Sequence, residues 1–231
     1  MTGRWRRQRS PGRRLGVALS VLVLAVTAAG CAPVELPKDR YYRLEVGASA
    51  PAAAAPSLAG VLEVARPVAD GLVAGQAILY TSGGPGAPLM ESDFHFWASA
   101  PSVMLQEALV RCLDDAAAAD MVVADRMRLP ADYRLTGRLI RLERAIGPPA
   151  EATLALQLGI HRLRDDRLLF WRRYAATRAA ADDSVAAAAP AFNDAFAAVC
   201  HDLVADLERH ARTAGPGHGG SNRRALASVT W

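Results

Sequence analysis

Alternating apolar and polar positions predict most of the strands in this chain. In residues 40–46, Tyr42, Leu44 and Val46 fall on one side of an extended chain and polar neighbours fall on the other. Such alternation is typical of a strand with one buried face. By the same pattern, or by short apolar runs between turn residues, we expect further strands at 60–68, 76–82, 93–99, 121–125, 133–145, 152–163 and 167–178.

Two segments repeat their apolar residues with the period of a helix instead. In residues 100–118, a single apolar stripe is formed by Leu105, Leu109, Cys112 and Leu113. We expect Ser99 to cap this helix and Pro101 to lie in its first turn. The second helix is predicted from about Asp183 to His210, where Pro190 should kink it or delay its regular part by one turn.

The order of these elements, strands, helix, strands and helix, predicts an α+β fold. We expect a two-layer sandwich with a mainly antiparallel sheet of about seven or eight strands and both helices packed on one face. This domain is predicted to occupy residues 40–212. A tether at 31–39 would precede it, and a tail at 213–231 without periodicity is expected to be disordered.

The first 31 residues have the organisation of an export signal. Residues 1–14 contain six arginines and no acidic residue. They precede an apolar run at 15–29, which is short for a membrane span. Gly30 and Cys31 follow and resemble the bacterial lipobox. In that motif, the signal, here residues 1–30, is removed and the cysteine becomes the acylated N-terminal residue. Ala32 takes the place of the Asp that retains lipoproteins at the inner membrane, so the resemblance implies the outer membrane, facing the periplasm. The alternative is a plain secretory signal with an incidental free cysteine.

Removal of this predicted signal changes the charge of the chain. The full sequence carries 27 Lys and Arg residues against 23 Asp and Glu residues. Without the six arginines of the signal, 21 basic residues remain against 23 acidic ones, so the net charge is close to −2. This charge and an envelope location argue against a protein that binds nucleic acid.

Cys112 and Cys200 are the two cysteines of the predicted domain, and each belongs to one predicted helix. An oxidising compartment favours a disulfide between them. Against this bond, Cys112 should point at the sheet, whereas Cys200 lies at the flank of its apolar stripe, so the two Cβ vectors need not meet. Both outcomes are open at this point, and we expect buried free thiols.

Motifs for catalysis, nucleotide binding and metal binding are missing from the sequence. It contains no G-x-S-x-G, no H-E-x-x-H and no paired-cysteine spacing, and the glycines of 83–88 do not lead from a strand into a helix. No two histidines share a helical turn, so we expect no metal site and no cofactor. Paired aspartates at 114–115 and 182–183 lie at a helix end and a helix start, where capping accounts for them. These absences argue against an enzyme.

Arginines cluster on two of the predicted strands. They are Arg134, Arg138, Arg141 and Arg144 on one strand, and Arg172 and Arg173, beside Trp171, on another. A solvated face of the sheet accounts for Arg134 and Arg138, which alternate with leucines. The other interpretation is contact with an anionic lipid head group or an acidic protein partner, since guanidinium groups pair with phosphates and carboxylates.

Several stretches follow Cys31 in a characteristic order. They are RYYRLEV, VLEVARPVADGLVAGQAILYTS, FWASAPSVMLQEALVRCL, DYRLTGRLIRLE and a final strand and helix. Together they resemble the ABC-type transport auxiliary lipoproteins, the PqiC-like family, from about Tyr41 to His210. The departures are the Ala-rich loop after the first strand, Pro190 and the C-terminal tail, all of which concern loops and ends.

The resemblance implies a non-enzymatic outer-membrane lipoprotein subunit of an ABC/MCE-type phospholipid transport system. Its partners would be an MCE-domain protein that crosses the periplasm and, through it, an ABC permease and ATPase. Membrane lipid would be held through acylated Cys31, and a homo-oligomer is compatible with this role. The alternative function is a structural envelope lipoprotein that braces cell-wall or Tol-like assemblies.

The ADGLVAG turn is the predicted point of contact with the partner. Leu72 and Val73 are apolar residues in a polar setting there, and loops on a rigid scaffold often carry binding residues. The alternative is that both side chains fold back onto the core.

Overall fold

The computed structural model describes residues 37–45, 55–83 and 86–213. The predicted signal at 1–30 and Cys31 lie outside the described residues, as does the chain from residue 214 onward. The boundaries of the signal, the tether and the tail therefore stay predictions, while the predicted domain can be compared with the structure.

Eight strands and two α-helices make up the described part of the chain. The strands are β1 (Arg40–Tyr42), β2 (Leu58–Val64), β3 (Ala77–Ser82), β4 (Leu89–Trp97), β5 (Ala119–Ala124), β6 (Tyr133–Ile146), β7 (Glu151–Arg162) and β8 (Arg167–Ala179). The helices are α1 (Pro101–Asp115), between β4 and β5, and α2 (Val185–Thr213), after β8. The predicted grouping of strands and helices is confirmed.

All eight strands belong to one curled mixed sheet that divides at β6. One edge of β6 pairs with antiparallel β7, which in turn pairs with antiparallel β8, and these are the longest ladders. The other edge of β6 pairs in parallel with β2 over Tyr133–Leu135 and with β3 over Glu143–Ile146. β5 lies beside β2, whereas β4 and then β1 extend the sheet beyond β3. Three branches of the sheet, β7–β8, β2–β5 and β3–β4–β1, therefore meet on β6.

Both helices pack on one face of this sheet, α1 against β2 and β5 and α2 against β7 and β8. The inward residues of β7 are at most 1% exposed; they are Leu154, Leu156, Leu158 and Ile160. Trp97 of β4 packs edge-on against Phe192 of α2, with ring centroids 5.2 Å apart. Full burial of one such side chain is worth about 1.5 to 3 kcal/mol. The predicted two-layer α+β fold is confirmed.

The start of α1 differs from the prediction. Its N-cap is Ala100 and not Ser99, and no side chain caps the helix. Pro101 occupies the first helical position. Proline has no N–H there to donate, but the first N–H of a helix has no partner within the helix in any case, and the fixed φ of proline suits the helix. The proline therefore takes over the role of defining the start.

The start of α2 is fixed by a side-chain cap. Ser184 Oγ accepts a hydrogen bond of 3.0 Å from the N–H of Ala187. Pro190 lies inside the helix, which nevertheless begins at Val185, so the predicted delay of the regular part is wrong, whereas the alternative, a kink at Pro190, stays a prediction. Pro190 is exposed to solvent, and its ring therefore displaces no core side chain.

Cys112 and Cys200 form a disulfide that joins α1 to α2, so the expectation of free thiols is wrong. Their Cα atoms are 6.3 Å apart, within the range that a disulfide can span. The two cysteines are 0% and 4% exposed. Because α1 and α2 lie side by side on the sheet, the flank position of Cys200 is the one that faces α1, which the stripe alone could not indicate.

Candidate partner-binding surfaces

Cys31 lies outside the described residues, so its acylation stays a prediction. The described chain begins at Pro37 and enters the sheet at β1, which pairs in parallel with the end of β4. Tyr42 of β1 also makes a hydrogen bond of 2.9 Å from its hydroxyl group to His95 Nδ1 on β4. The segment that follows the predicted anchor is thus attached to one edge of the sheet.

The segment before the ADGLVAG turn is held against β6 by its backbone. The N–H of Val68 donates to the Gly137 carbonyl over 2.9 Å, and the Val68 carbonyl accepts from the N–H of Leu139 over 2.8 Å. The Val68 side chain is nevertheless 57% exposed. This exposure could not be predicted from the sequence, because an apolar residue after Pro67 continues the apolar pattern of a predicted strand.

Leu72 and Val73, the two predicted contact residues, differ in exposure. Leu72 is 45% exposed, whereas Val73 is partly buried and packs against the core. They lie in a 3-10 helix, Gly71–Ala74, whose first residue has a φ of 65°, a conformation that glycine adopts at little cost. The N–H of Gly75 closes the turn on the Leu72 carbonyl over 3.0 Å. The structure therefore brings Leu72 to the surface and turns Val73 toward the core.

Three arginines of β6 make contacts on the surface of the sheet. The contacts, each from Nε to Oε1, are Arg134 with Glu63 (2.6 Å), Arg138 with Gln157 (3.0 Å) and Arg141 with Glu143 (3.0 Å). The three arginines are exposed, whereas Glu63 is only 7% exposed, so its pairing with Arg134 offsets the burial of a charge. A solvated face with local partners therefore accounts for these three residues.

Arg144, the fourth arginine of β6, is buried instead. It donates to the backbone carbonyl of Asp183 and lies 5.5 Å from the ring centroid of Tyr80. Burial lowers the pKa of its guanidinium group, and the nearby Asp183 carboxylate opposes that effect. Asp183 Oδ1 also accepts from the N–H of Gly147 over 2.8 Å. These contacts tie the end of β6 to the segment that leads into α2.

A buried carboxylate, Asp206 of α2, gathers three partners. Its oxygens accept from the Tyr174 hydroxyl group over 2.8 Å and from Arg172 over 3.2 Å, and Arg209 also pairs with it. Burial raises the pKa of Tyr174 to about 12. Because each partner is already engaged with this carboxylate, the cluster connects α2 to β8 and presents no unoccupied acid or base to a substrate.

Sites for metal ions and for membrane crossing were sought in the same part of the chain. Residues 37–45, 55–83 and 86–213 contain no group of three or more His, Cys, Asp or Glu side chains placed to hold a metal ion. In those ranges, no helix is both long and apolar enough to cross a membrane. Burial, with Arg40 nearby, lowers the pKa of His95, which is already bonded to Tyr42.

Sequence and fold are both similar to known proteins. Residues 42–204 match the family model described as the ABC-type transport auxiliary lipoprotein component. A crystal structure of a DUF330 protein from Xanthomonas campestris is 24% identical, with a TM-score of 0.66, over 76% of this chain and 98% of that one. A second crystal structure, of an uncharacterized protein, is 14% identical, with a TM-score of 0.57, over 75% of this chain and 98% of that one. No curated protein is significantly similar to this chain in sequence.

Proposed function

Because this chain belongs to the family of ABC-type transport auxiliary lipoprotein components, we propose that it is the non-enzymatic outer-membrane subunit of an ABC/MCE-type phospholipid transport system. It docks a periplasm-spanning MCE-domain protein at the outer membrane, while an ABC permease and ATPase act at the other end. The observation that carries this proposal is the family match over residues 42–204.

The attachment to the membrane is proposed to be Cys31. Two or more acyl chains on this residue anchor a protein firmly, whereas a single chain binds reversibly. The tether at 31–39 spans at most about 30 Å when fully extended. The domain then stays close to the inner leaflet of the outer membrane, where it meets the far end of the partner.

The docking surface is proposed to contain Val68 and Leu72. Both side chains are more than two-fifths exposed, at 57% and 45%, and both lie on backbone held by hydrogen bonds. A fixed backbone lowers the entropic cost of binding, because little has to be ordered when the partner arrives. Val73 supports this surface from the core side rather than touching the partner.

The buried ionisable groups agree with a binding role. Asp206 is engaged by Tyr174, Arg172 and Arg209, and Arg144 is engaged by the carbonyl of Asp183. These groups hold secondary structure elements together. The family is likewise one of auxiliary transport components, so binding and positioning are the activities that we assign to the domain.

A pull-down from detergent-solubilised envelopes tests the proposal. The full-length chain, expressed with its own signal in its natural host, serves as bait, and captured proteins are identified by mass spectrometry. We expect recovery of an MCE-domain subunit. Leu72→Glu should reduce that recovery at least fivefold, since it places a charge at the centre of an apolar contact.

Met121→Glu is the matched control for this substitution. Met121 lies on β5 and is 49% exposed. The variant therefore adds the same charge at an apolar residue of similar exposure that lies on a strand of the sheet and outside the turn. Its recovery of the MCE subunit should equal that of the unmodified bait. Capture of only peptidoglycan-associated or Tol-type proteins by the unmodified bait would instead support a structural envelope lipoprotein and reject the transport role.

A further inference from the structure

Strand β8 leaves one long edge of the sheet without a neighbouring strand. Within the described residues, β8 pairs only with β7, although it is 13 residues long. Every second residue of such a strand directs its N–H and C=O groups away from the paired side. The other outermost strands are much shorter, with 3 residues in β1 and 6 in β5. In the described part of the chain, the β8 edge is therefore the longest strand edge that no other strand covers.

Charge distinguishes the β8 edge from the rest of the sheet. β8 carries Arg167, Arg172, Arg173 and Arg178 and has no acidic residue. Arg172 pairs with Asp206, and it is the only one of the four with an ion pair among the described residues. Arg178 donates to the Thr177 carbonyl, and all three arginines other than Arg172 are exposed along a strand of about 44 Å.

Two exposed apolar side chains lie on the same strand. Leu168 is 46% exposed and Trp171 is 43% exposed. The Trp171 ring packs against Gly159 of β7, where a Cβ atom would collide with it. This contact with the neighbouring strand fixes the position of the ring. An edge that combines free backbone groups, fixed apolar side chains and cations matches the requirements for binding an added strand.

The charges on β8 favour an acidic partner over another copy of this chain at this edge. Two β8 strands paired together would bring their arginines face to face, and like charges on adjacent strands are destabilising. The chain after residue 213 is no better suited, because it contains Arg223 and Arg224 and no acidic residue. We infer that the free edge of β8 pairs with an extended acidic segment of a partner polypeptide. This goes beyond the proposed function, since it assigns a second surface and the chemistry of its occupant.

A synthetic peptide can probe this edge. The probe is a nine-residue peptide of alternating Glu and Thr with a fluorescent dye at its N terminus, added to the full-length acylated protein in zwitterionic detergent. Fluorescence anisotropy measures its binding, and hydrogen–deuterium exchange measures the protection of β8 amides. We expect binding together with slower exchange of edge amides between Arg167 and Ala179. The same peptide with every amide N-methylated keeps its charge but cannot donate hydrogen bonds, and we expect it not to bind.

Charge reversal provides the matched protein variants. Arg167→Glu/Arg173→Glu/Arg178→Glu should weaken binding of the probe by about tenfold or more, because three attractive contacts become repulsive. The control is reversal of three exposed arginines elsewhere, at Arg43, Arg66 and Arg111, which should change the affinity less than twofold. Should the β8 variant not fold, the N-methylated peptide still decides the question with unmodified protein.

Several results would overturn the inference. Equal binding of the N-methylated peptide would mean that charge alone attracts the probe. Protection of the same amides by phosphatidylglycerol vesicles, without protection by the peptide, would identify the edge as a membrane surface. Protection in the free protein that disappears on dilution would point to a second copy, and protection lost on deletion of residues 214–231 would point to the chain's own C-terminal segment.

Discussion

Removal of the disulfide between α1 and α2 is expected to cost a large part of the stability of this domain. The bond joins Cys112 to Cys200 across 88 positions of the sequence. In the chain-entropy model, a closed segment of this length lowers the entropy of the unfolded chain and thereby raises its free energy by roughly 4 to 5 kcal/mol at 25 °C. Native-state and residual-structure effects commonly reduce that value, so we expect a loss of about 3 to 4 kcal/mol.

The experiment compares Cys112→Ala, Cys200→Ala and the double variant by urea unfolding monitored with circular dichroism. Each single variant already breaks the bond, so all three should lose a similar free energy of unfolding. Both side chains are buried, at 0% and 4% exposed, and alanine introduces no polar group into that space. With about 2 to 4 °C per kcal/mol for a chain of this size, the melting temperature should fall by roughly 10 °C.

Two results would refute this reasoning. A free energy of unfolding that changes by less than about 1 kcal/mol in all three variants would mean that the bond does not constrain the unfolded chain as assumed. Non-reducing peptide mapping gives an independent check, because it should recover a cross-linked peptide pair that contains Cys112 and Cys200. Recovery of both cysteines as separate free-thiol peptides would show that the bond is absent from the purified protein.

Two further predictions concern the membrane anchor and the buried tyrosine. Cys31→Ser should release the domain into the soluble periplasmic fraction on cell fractionation, and continued sedimentation with the outer membrane would place the anchor elsewhere. Burial raises the pKa of Tyr174 from 10.0 to about 12, so the stabilisation that it provides as a neutral phenol is present below pH 10.0 and is lost toward pH 12. Absorbance titration of phenolate formation should detect a late-ionising tyrosine that is missing from Tyr174→Phe; identical titrations would contradict the burial.

Strong alternation was sufficient to predict the long strands but not how they pair. β6 was expected at 133–145 and occupies Tyr133–Ile146, because its buried leucines recur along a strand long enough to fix the pattern. β1 was expected at 40–46 but ends at Tyr42. Leu44 is still buried, at 5% exposed, so alternation predicted its burial while the strand pairing had already ended.

The division of the sheet at β6 could not be predicted from the sequence. β2 and β3 share one edge of β6 because the chain between them runs along that edge and then turns at Gly71–Ala74. This arrangement depends on contacts between residues far apart in sequence, about which local patterns carry no information. The same limit explains why the disulfide was missed, since the rotation of each helix on the sheet decides whether two cysteines meet.

The exposure of the two proposed contact residues was predicted only in part for a similar reason. A turn rich in glycine and aspartate indicated that Leu72 and Val73 belong to a surface segment, and Leu72 is indeed exposed. Successive residues of a 3-10 helix point in directions about 120° apart. Which of two adjacent apolar residues faces the core therefore depends on how the turn is seated on β6.

The short pairing of β1 gives an anchored protein a way to lengthen under tension. With the proposed anchor at Cys31, a pull between the N terminus and a partner bound elsewhere on the domain enters the sheet through three residue pairs between β1 and β4. Rupture of these pairs, together with extraction of Leu44 and loss of the hydrogen bond from the N–H of Glu45 to Asn193 Oδ1, would free the chain from Arg40 to Glu45, an extension of at most about 20 Å. The disulfide that joins the two helices lies beyond that point in the chain. Single-molecule extension from the N terminus should record this step before the domain unfolds. Strand β1 would then be the first part of the domain to detach under a pull from the membrane side.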